Sequence, residues 1–201
     1  VTNVSIVGVG ALGSHVVQFL RNEDIDLSVI DFDRVEMKNV ASQFHAANQV
    51  GKKKVLSLAG SMAFLFKRPV IGVPHKLTTD NVHDLFKDAD LVIDCLDNAE
   101  SRRIVQHYCH DAGAPAHVEG RGPIPCLHGA LDAAGSFGRV IWSEQFRIDE
   151  EGAAGAATCE DGEFLPFIAL TAAYVARSAQ LFLREGKQVG FSISPTRVFS
   201  T

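Results

Sequence analysis

Residues 4–33 read VSIVGVGALGSHVVQFLRNEDIDLSVIDFD. A short apolar run (Val4, Ile6, Val7) leads into Gly8-Val9-Gly10-Ala11-Leu12-Gly13. A helical pattern follows, with Val16, Val17 and Leu20 on its apolar side and an end near Asn22. A second apolar run at 27–30 stops at Asp31-Phe32-Asp33. Strand, glycine turn, helix and acid-tipped strand make half of a nucleotide-binding sheet. Gly8 allows the tight turn, Gly10 lets backbone N–H groups approach a phosphate, and Gly13 lets the helix pack close to the strand. The helix N-terminus then offers unpaired donors and a partial positive charge to an anion. An acid at the end of the second strand falls where a ribose hydroxyl would lie. The turn alone does not choose the nucleotide. NAD is the default, but the second acid, Asp33, has no obvious use in a dinucleotide site.

Outward from that unit, residues 34–44 are too polar and irregular for a strand. They read as a loop with a short helix on the ligand side of the sheet. Residues 51–67 read as a helix led by three lysines, and 70–73 as a third strand. A short helix at 81–86 precedes a continuous apolar strand at 91–95, as expected for a strand buried on both faces. A helix at 99–112 and a short strand at 115–119 follow. Residues 124–131 and 137–142 flank a turn at 132–135 and predict an antiparallel hairpin. Residues 148–162 are acidic and rich in glycine and alanine, the pattern of a loop. A long apolar helix at 164–183 precedes edge strands at 190–193 and 197–200. The expected architecture is α/β, a Rossmann-like, mostly parallel sheet with helices on both faces, extended by antiparallel strands. One domain spans residues 1–201, its nucleotide-binding half ending near 120 and its antiparallel part running over 121–201.

Composition bounds the function. The 201 residues are 46% hydrophobic and 21% charged, with a net charge of -5. That balance carries no electrostatic case for nucleic acid. The apolar 164–183 stretch opens on Pro166 and is interrupted by Arg177, so a core or subunit-interface helix is expected and no membrane span. Cys95, Cys109, Cys126 and Cys159 lie far apart with no C-x-x-C pair, which suits reduced thiols in a cytoplasmic protein. The first residue is Val1 rather than Met, so a processed or trimmed chain is expected.

Three clusters lie at strand ends and should meet over the glycine loop: Asp31, Asp33 and Asn39; Lys54 within Gly51-Lys52-Lys53-Lys54-Val55; and Asp97-Asn98, with Arg102 one turn on. Hydride transfer needs none of these charges. Cleavage of ATP between its α and β phosphates needs them all: a lysine on the phosphates, a carboxylate for Mg2+, an acid for the ribose, and donors for the departing pyrophosphate.

In these motifs the chain resembles the ThiF/MoeB/HesA family, the adenylating domains related to ubiquitin-activating enzymes. The resemblance rests on the glycine loop, Asp-Phe-Asp-x-Val-x-x-x-Asn at 31–39, Gly-x-x-Lys-Val at 51–55, Asp-Cys-x-Asp-Asn at 94–98 followed by an arginine, and Thr158-Cys159-Glu160 as the family's crossover loop. It implies ATP- and Mg2+-dependent adenylation of the C-terminal glycine carboxylate of a ubiquitin-like or sulfur-carrier protein, by a homodimer. Gly8, Gly10 and Gly13 would contact the phosphates and Asp31 the ribose. Asp33 and Asn39 would support the site, Lys54 would hold phosphate, Asp97 would bind Mg2+, and Asn98 would line the pocket. Cys159 would accept the activated acyl group, although its acidic neighbours (Glu160, Asp161, Glu163) raise a thiol pKa and weaken the nucleophile.

Each residue has a plainer role beside this one. Asp31 and Asp33 fit solvated loop acids, Lys54 one solvated lysine of three with Lys52 and Lys53 as stand-ins, Asp97-Asn98 a helix cap, and Arg102 a surface helix position. Cys95 and Cys109 fit the core, Cys126 has no nameable partner, and His107 and His110 lack a third metal ligand. The chain also departs from the family. Ser42 stands where an arginine usually contacts the triphosphate, with Lys52 or Lys53 as stand-ins. The paired C-x-x-C ligands are missing, so no zinc is expected. The leading helix that often lends an arginine to the neighbouring subunit is not among these residues. Two rival readings follow: a catalytically degraded scaffold or regulatory subunit, favoured by Ser42, and an NAD-dependent enzyme, disfavoured by Asp33, Lys54 and Asp97 together.

Overall fold

Thirteen regular elements follow from these patterns in the computed structural model, which describes residues 1–110, 122–132, 134–143 and 162–201. In chain order they are β1 (Thr2–Val7), α1 (Ala11–Phe19), β2 (Ile25–Ile30), α2 (Lys54–Phe66), β3 (Ile71–Val73), α3 (Val82–Phe86), β4 (Leu91–Asp94), α4 (Ala99–His110), β5 (Cys126–Leu131), β6 (Gly138–Trp142), α5 (Leu165–Glu185), β7 (Phe191–Ser194) and β8 (Arg197–Ser200). One sheet holds all eight strands, in the order β3-β2-β1-β4-β5-β6-β7-β8. The first five are parallel, and β6, β7 and β8 are antiparallel. The chain winds outward from β1 to β3, then returns to β4 on the other side of β1. Ligands of open α/β sheets bind at such a switch point, outside the carboxyl ends of the strands. The Gly8–Gly13 turn and the Leu96-Asp97 turn leave the sheet at this place.

Two apolar layers sandwich the sheet. On one face Val4, Ile6, Leu91, Ile93 and Leu127 pack with Val16 and Val17 of α1, Leu58 and Met62 of α2, and Val175 and Ala179 of α5. On the other, Val7, Ile30, Val92 and Cys126 pack with Phe86, Val105, Tyr108 and Cys109. The two-residue alternation of β4 thus serves both cores, and β4 reads as an unbroken apolar run for that reason. Helix α5 is long and apolar enough by composition to cross a membrane. Here it buries Phe167, Ile168, Thr171, Ala172, Val175, Ala176 and Ala179 along one face. Pro166 opens it, and Gly186 closes it at φ +66. Buried Glu23 accepts from Gln180 (3.0 Å) and Arg184 (2.9 Å), tying the end of α1 to α5.

The structure departs from the expected elements in four places. Helix α1 ends at Phe19, three residues before Asn22. Helix α2 starts at Lys54 rather than Gly51, because residues 51–53 run beside 33–35. Val35 N–H donates to the Lys52 carbonyl, Lys54 N–H donates to the Asp33 carbonyl (both 2.9 Å), and Arg34 and Lys53 form an antiparallel bridge. Strand β5 pairs in parallel with β4, so the parallel part of the sheet runs past residue 120. Strand β7 lies between β6 and β8, leaving only β8 as an edge on that side. The strand expected at 115–119 lies outside the described residues, as does all but the last residue of the 148–162 loop.

Candidate active site

The three glycines of the turn do different work. At Gly8 (φ +82) an added Cβ would sit 2.9 Å from the Cys95 carbonyl oxygen, and at Gly13 it would sit 1.9 Å from the Gly8 carbonyl oxygen. Both are required by packing. At Gly10 only Gln43 Nε2 comes within 4 Å, at 3.9 Å. The space over Gly10 is open, and Gly10 caps α1 without a side chain. The α1 N-terminus therefore carries no side-chain cap.

Asp31 supports this loop from β2. One carboxylate oxygen accepts the Val9 N–H at 2.9 Å and the other the Asp33 N–H at 2.8 Å. Burial raises its pKa against the pull of those two donors and of Lys54. Asp33 ion-pairs with Lys54, Oδ2 to Nζ, at 3.2 Å. The lysine is 7% exposed, and it is close enough to act electrostatically on Asp31 and His45 as well. The bridge between 33–35 and 51–53 aims it there, since it fixes the first residue of α2 beside the tip of β2. Lys53 cannot share that role in this arrangement: its amine donates to the Phe32 carbonyl. Asn39 is buried and accepts the Glu36 N–H at 2.8 Å, closing a single helical turn at Met37–Ala41. It shapes the loop.

The β4 end supplies the other half. Asp97 is exposed, and no hydrogen bond or ion pair holds its carboxylate among the described residues. Asn98 caps α4, its Oδ1 accepting the Ser101 N–H at 2.8 Å. Arg102 is not the surface residue its position allowed. Its guanidinium donates to the Leu96 carbonyl and, at 2.8 Å, to the Gly129 carbonyl. Asp94, the first residue of the 94–98 motif but assigned no role from the sequence, is wholly buried and accepts from the ring of His128 at 2.7 Å.

His45 and His15 were also missed, because an isolated histidine carries no pattern. His45 contacts the Val9 carbonyl through Nε2 (3.2 Å), and His15 the Ser42 carbonyl (3.0 Å). Burial, with Lys54 and His15 nearby, depresses the His45 pKa to about 4 against the Val9 contact. Between that value and the ordinary 6.5 the unfolded chain binds a proton that the folded chain does not. Stability therefore falls as pH drops through this window. Urea titrations at pH 7 and pH 4 should show wild type losing up to about 3 kcal/mol more than His45→Asn.

Ser42, at the arginine position of the resemblance, is fully buried and turned away from solvent, and its hydroxyl finds no partner among the described residues. Ser42→Ala should be neutral or stabilising by up to about 1 kcal/mol in urea unfolding, because an unsatisfied buried hydroxyl is removed.

Cys159 lies outside the described residues. Cys95, Cys109 and Cys126 are free thiols. Cys126 lies against Cys109 and His128, and burial pushes its thiol well above the usual range.

Adenylyltransferase and sulfurtransferase MOCS3 of Xenopus laevis is 33% identical over 117 residues, which are 56% of this chain and 26% of that protein. The SAMP-activating enzyme E1 of Haloferax volcanii is 32% identical over 135 residues, 65% of this chain and 46% of that one. The matched region is thus less than half the length of either curated relative. Among solved structures, E. coli MccB superposes with a TM-score of 0.74 at 17% identity, covering 100% of this chain and 62% of that one. PaaA does so with 0.72 at 17% identity, covering 100% and 63%. At such identities the structures establish a shared fold. The ThiF family model matches residues 1–179, and with the glycine turn, Lys54 and Asp97 at one switch point, the chain belongs to the ThiF family.

Proposed function

We propose that the chain is an adenylyltransferase of the ubiquitin-like-protein-activating type. It acts with ATP on the C-terminal glycine carboxylate of a ubiquitin-like or sulfur-carrier protein. The observation that carries this reading is the pairing of opposite demands at the switch point. A buried lysine lies beside the glycine loop on the β2 side, and a carboxylate with no partner among the described residues, Asp97, stands on the β4 side. A hydride-transfer site has no use for either. The named activities of MOCS3 and the SAMP-activating E1 point the same way.

The open space over Gly10 fits a phosphate against the α1 N-terminus, and Lys54 is placed to neutralise it. Asp97 would hold Mg2+, which when bound neutralises charge on the phosphate oxygens. The carrier carboxylate attacks the α-phosphorus, the bond to the bridging oxygen breaks, and pyrophosphate leaves with the electron pair. The chain contributes positioning and charge. The Cys159 thiolate then displaces AMP from the acyl group. A homodimer completes the assembly; the outward side of α5, where Ala173, Tyr174, Arg177 and Leu181 line a shallow cleft with Phe191, supports it.

A second reading rests on Ser42. Without a cation there, the chain could keep the fold as a scaffold beside an active partner. ATP–pyrophosphate exchange separates the two. Exchange that depends on a carrier ending in glycine, and that persists in Cys159→Ala, supports adenylation. ATP binding without exchange, across carriers that serve its relatives, supports the scaffold.

A further inference from the structure

Both backbone groups of Leu96, the residue before Asp97, are held by buried side chains. Its N–H donates to Asp94 Oδ1 at 2.9 Å, and its carbonyl accepts from Arg102. The second Asp94 oxygen accepts the Nδ1–H of His128 at 2.7 Å, and the far ring nitrogen lies 3.0 Å from the Ser143 hydroxyl. Asp94 and His128 are register partners on β4 and β5, and Ser143 follows β6, so the polar row crosses three adjacent strands under α4. Asp94 and His128 are essentially inaccessible, at 0% and 1%.

The row matters because Arg102 has two possible uses. Its Nε forms a long ion pair with Asp94 Oδ2, at 3.9 Å. Its hydrogen bonds among the described residues go to the Leu96 and Gly129 carbonyls rather than to that carboxylate. A buried carboxylate demands its donors, and an arginine fork is the best donor in reach. His128 meets that demand at the oxygen nearest to Arg102, which leaves the guanidinium on the turn. Among the described residues, the groups that act on the ring are Asp94, which also pairs with Arg102, and Cys126 on its own strand. Burial works against a charged ring, while Cys126 and Asp94 favour it, so the imidazole pKa rises to about 10. Asp94 stays ionised because Arg102 and His128 outweigh the effect of burial on it.

We propose that His128 is a positioning residue for Asp97: by occupying Asp94 it frees Arg102 to clamp the Leu96 carbonyl, which holds the Leu96-Asp97 turn in place. The link to metal binding rests on the adenylating reading of the site. The clamp itself does not.

The experiment uses the whole chain with two variants, His128→Ala and His128→Asn, the second restoring an N–H donor to Asp94. Amide hydrogen exchange is read at Leu96, with β1 amides as the internal reference. The Mg2+ concentration giving half-maximal ATP–pyrophosphate exchange is read alongside. In His128→Ala the Leu96 amide should exchange at least about 10-fold faster than the β1 amides change, and the Mg2+ requirement should rise about 10- to 100-fold. His128→Asn should recover most of both. Leu96 protection equal to wild type, or a loosening shared by all amides, would overturn the clamp. A loosened turn with an unchanged Mg2+ requirement would overturn its link to Asp97. If wild type itself exchanges no pyrophosphate, the adenylating reading fails, and the Leu96 amide still decides the clamp.

Discussion

Asp97→Ala is expected to lower ATP–pyrophosphate exchange by at least ~100-fold, because it removes the carboxylate that we propose holds the metal on the phosphates. The fold should not notice. The side chain is exposed, and the cap of α4 is made by Asn98, so stability should change by less than about 0.5 kcal/mol. The neighbouring acid predicts the reverse signature. Asp94→Ala leaves His128 and Arg102 without their shared carboxylate in a buried place, a change costing about 3–5 kcal/mol. Two acids three residues apart thus separate function from folding. A residue that merely caps a helix would show neither pattern.

Gly13→Ala is the substitution with the largest structural effect. Its Cβ would lie 1.9 Å from the Gly8 carbonyl oxygen, 3.0 Å from the Gly8 carbonyl carbon and 3.3 Å from Cys95 Cβ. Two of these are backbone atoms of the turn that α1 leaves, so the helix must move off the sheet. A loss of more than about 3 kcal/mol is expected, with nucleotide binding lost alongside. Gly10→Ala is the informative contrast. With only Gln43 Nε2 nearby, at 3.9 Å, it should cost less than about 1 kcal/mol, the price of a poorer helix cap. Nucleotide affinity should still fall at least ~10-fold, since the new methyl enters the space that we propose holds phosphate. Urea unfolding and ATP titration of the same two variants give both numbers.

How far the sequence was legible follows from how local each signal is. The glycine turn, the Asp31 and Asp33 ends and the α5 pattern are carried by neighbours in the chain, and they stand where they were expected. Lys54 does open a helix, but the two lysines before it are not helical. Those two lysines are drawn into a bridge with residues 34 and 35, a pairing that no helical period announces. Arg102 carried a signal that was readable. With Val105 and Cys109 it stands at i, i+3, i+7, on the buried side of α4. Asp94 lies in the 94–98 motif but was given no role, because a carboxylate at the end of an apolar run looks like part of the strand. Its partner His128 lies 34 residues away and meets it only through the β4–β5 register. Ser42 stood out against the resemblance, but its burial depends on the packing of the 37–45 loop against α1. Tertiary pairing over such distances leaves no trace in local period or composition.

The central claim is that the switch-point site activates a glycine carboxylate with ATP. Its most direct measurement is the intact mass of a ubiquitin-like carrier incubated with the chain, ATP and Mg2+, beside the same carrier lacking its last glycine. A carrier heavier by one adenylyl group, seen only with the terminal glycine and abolished by Asp97→Ala, is the predicted result. A carrier left unmodified while the chain binds ATP, or binds NAD in its place, would contradict it.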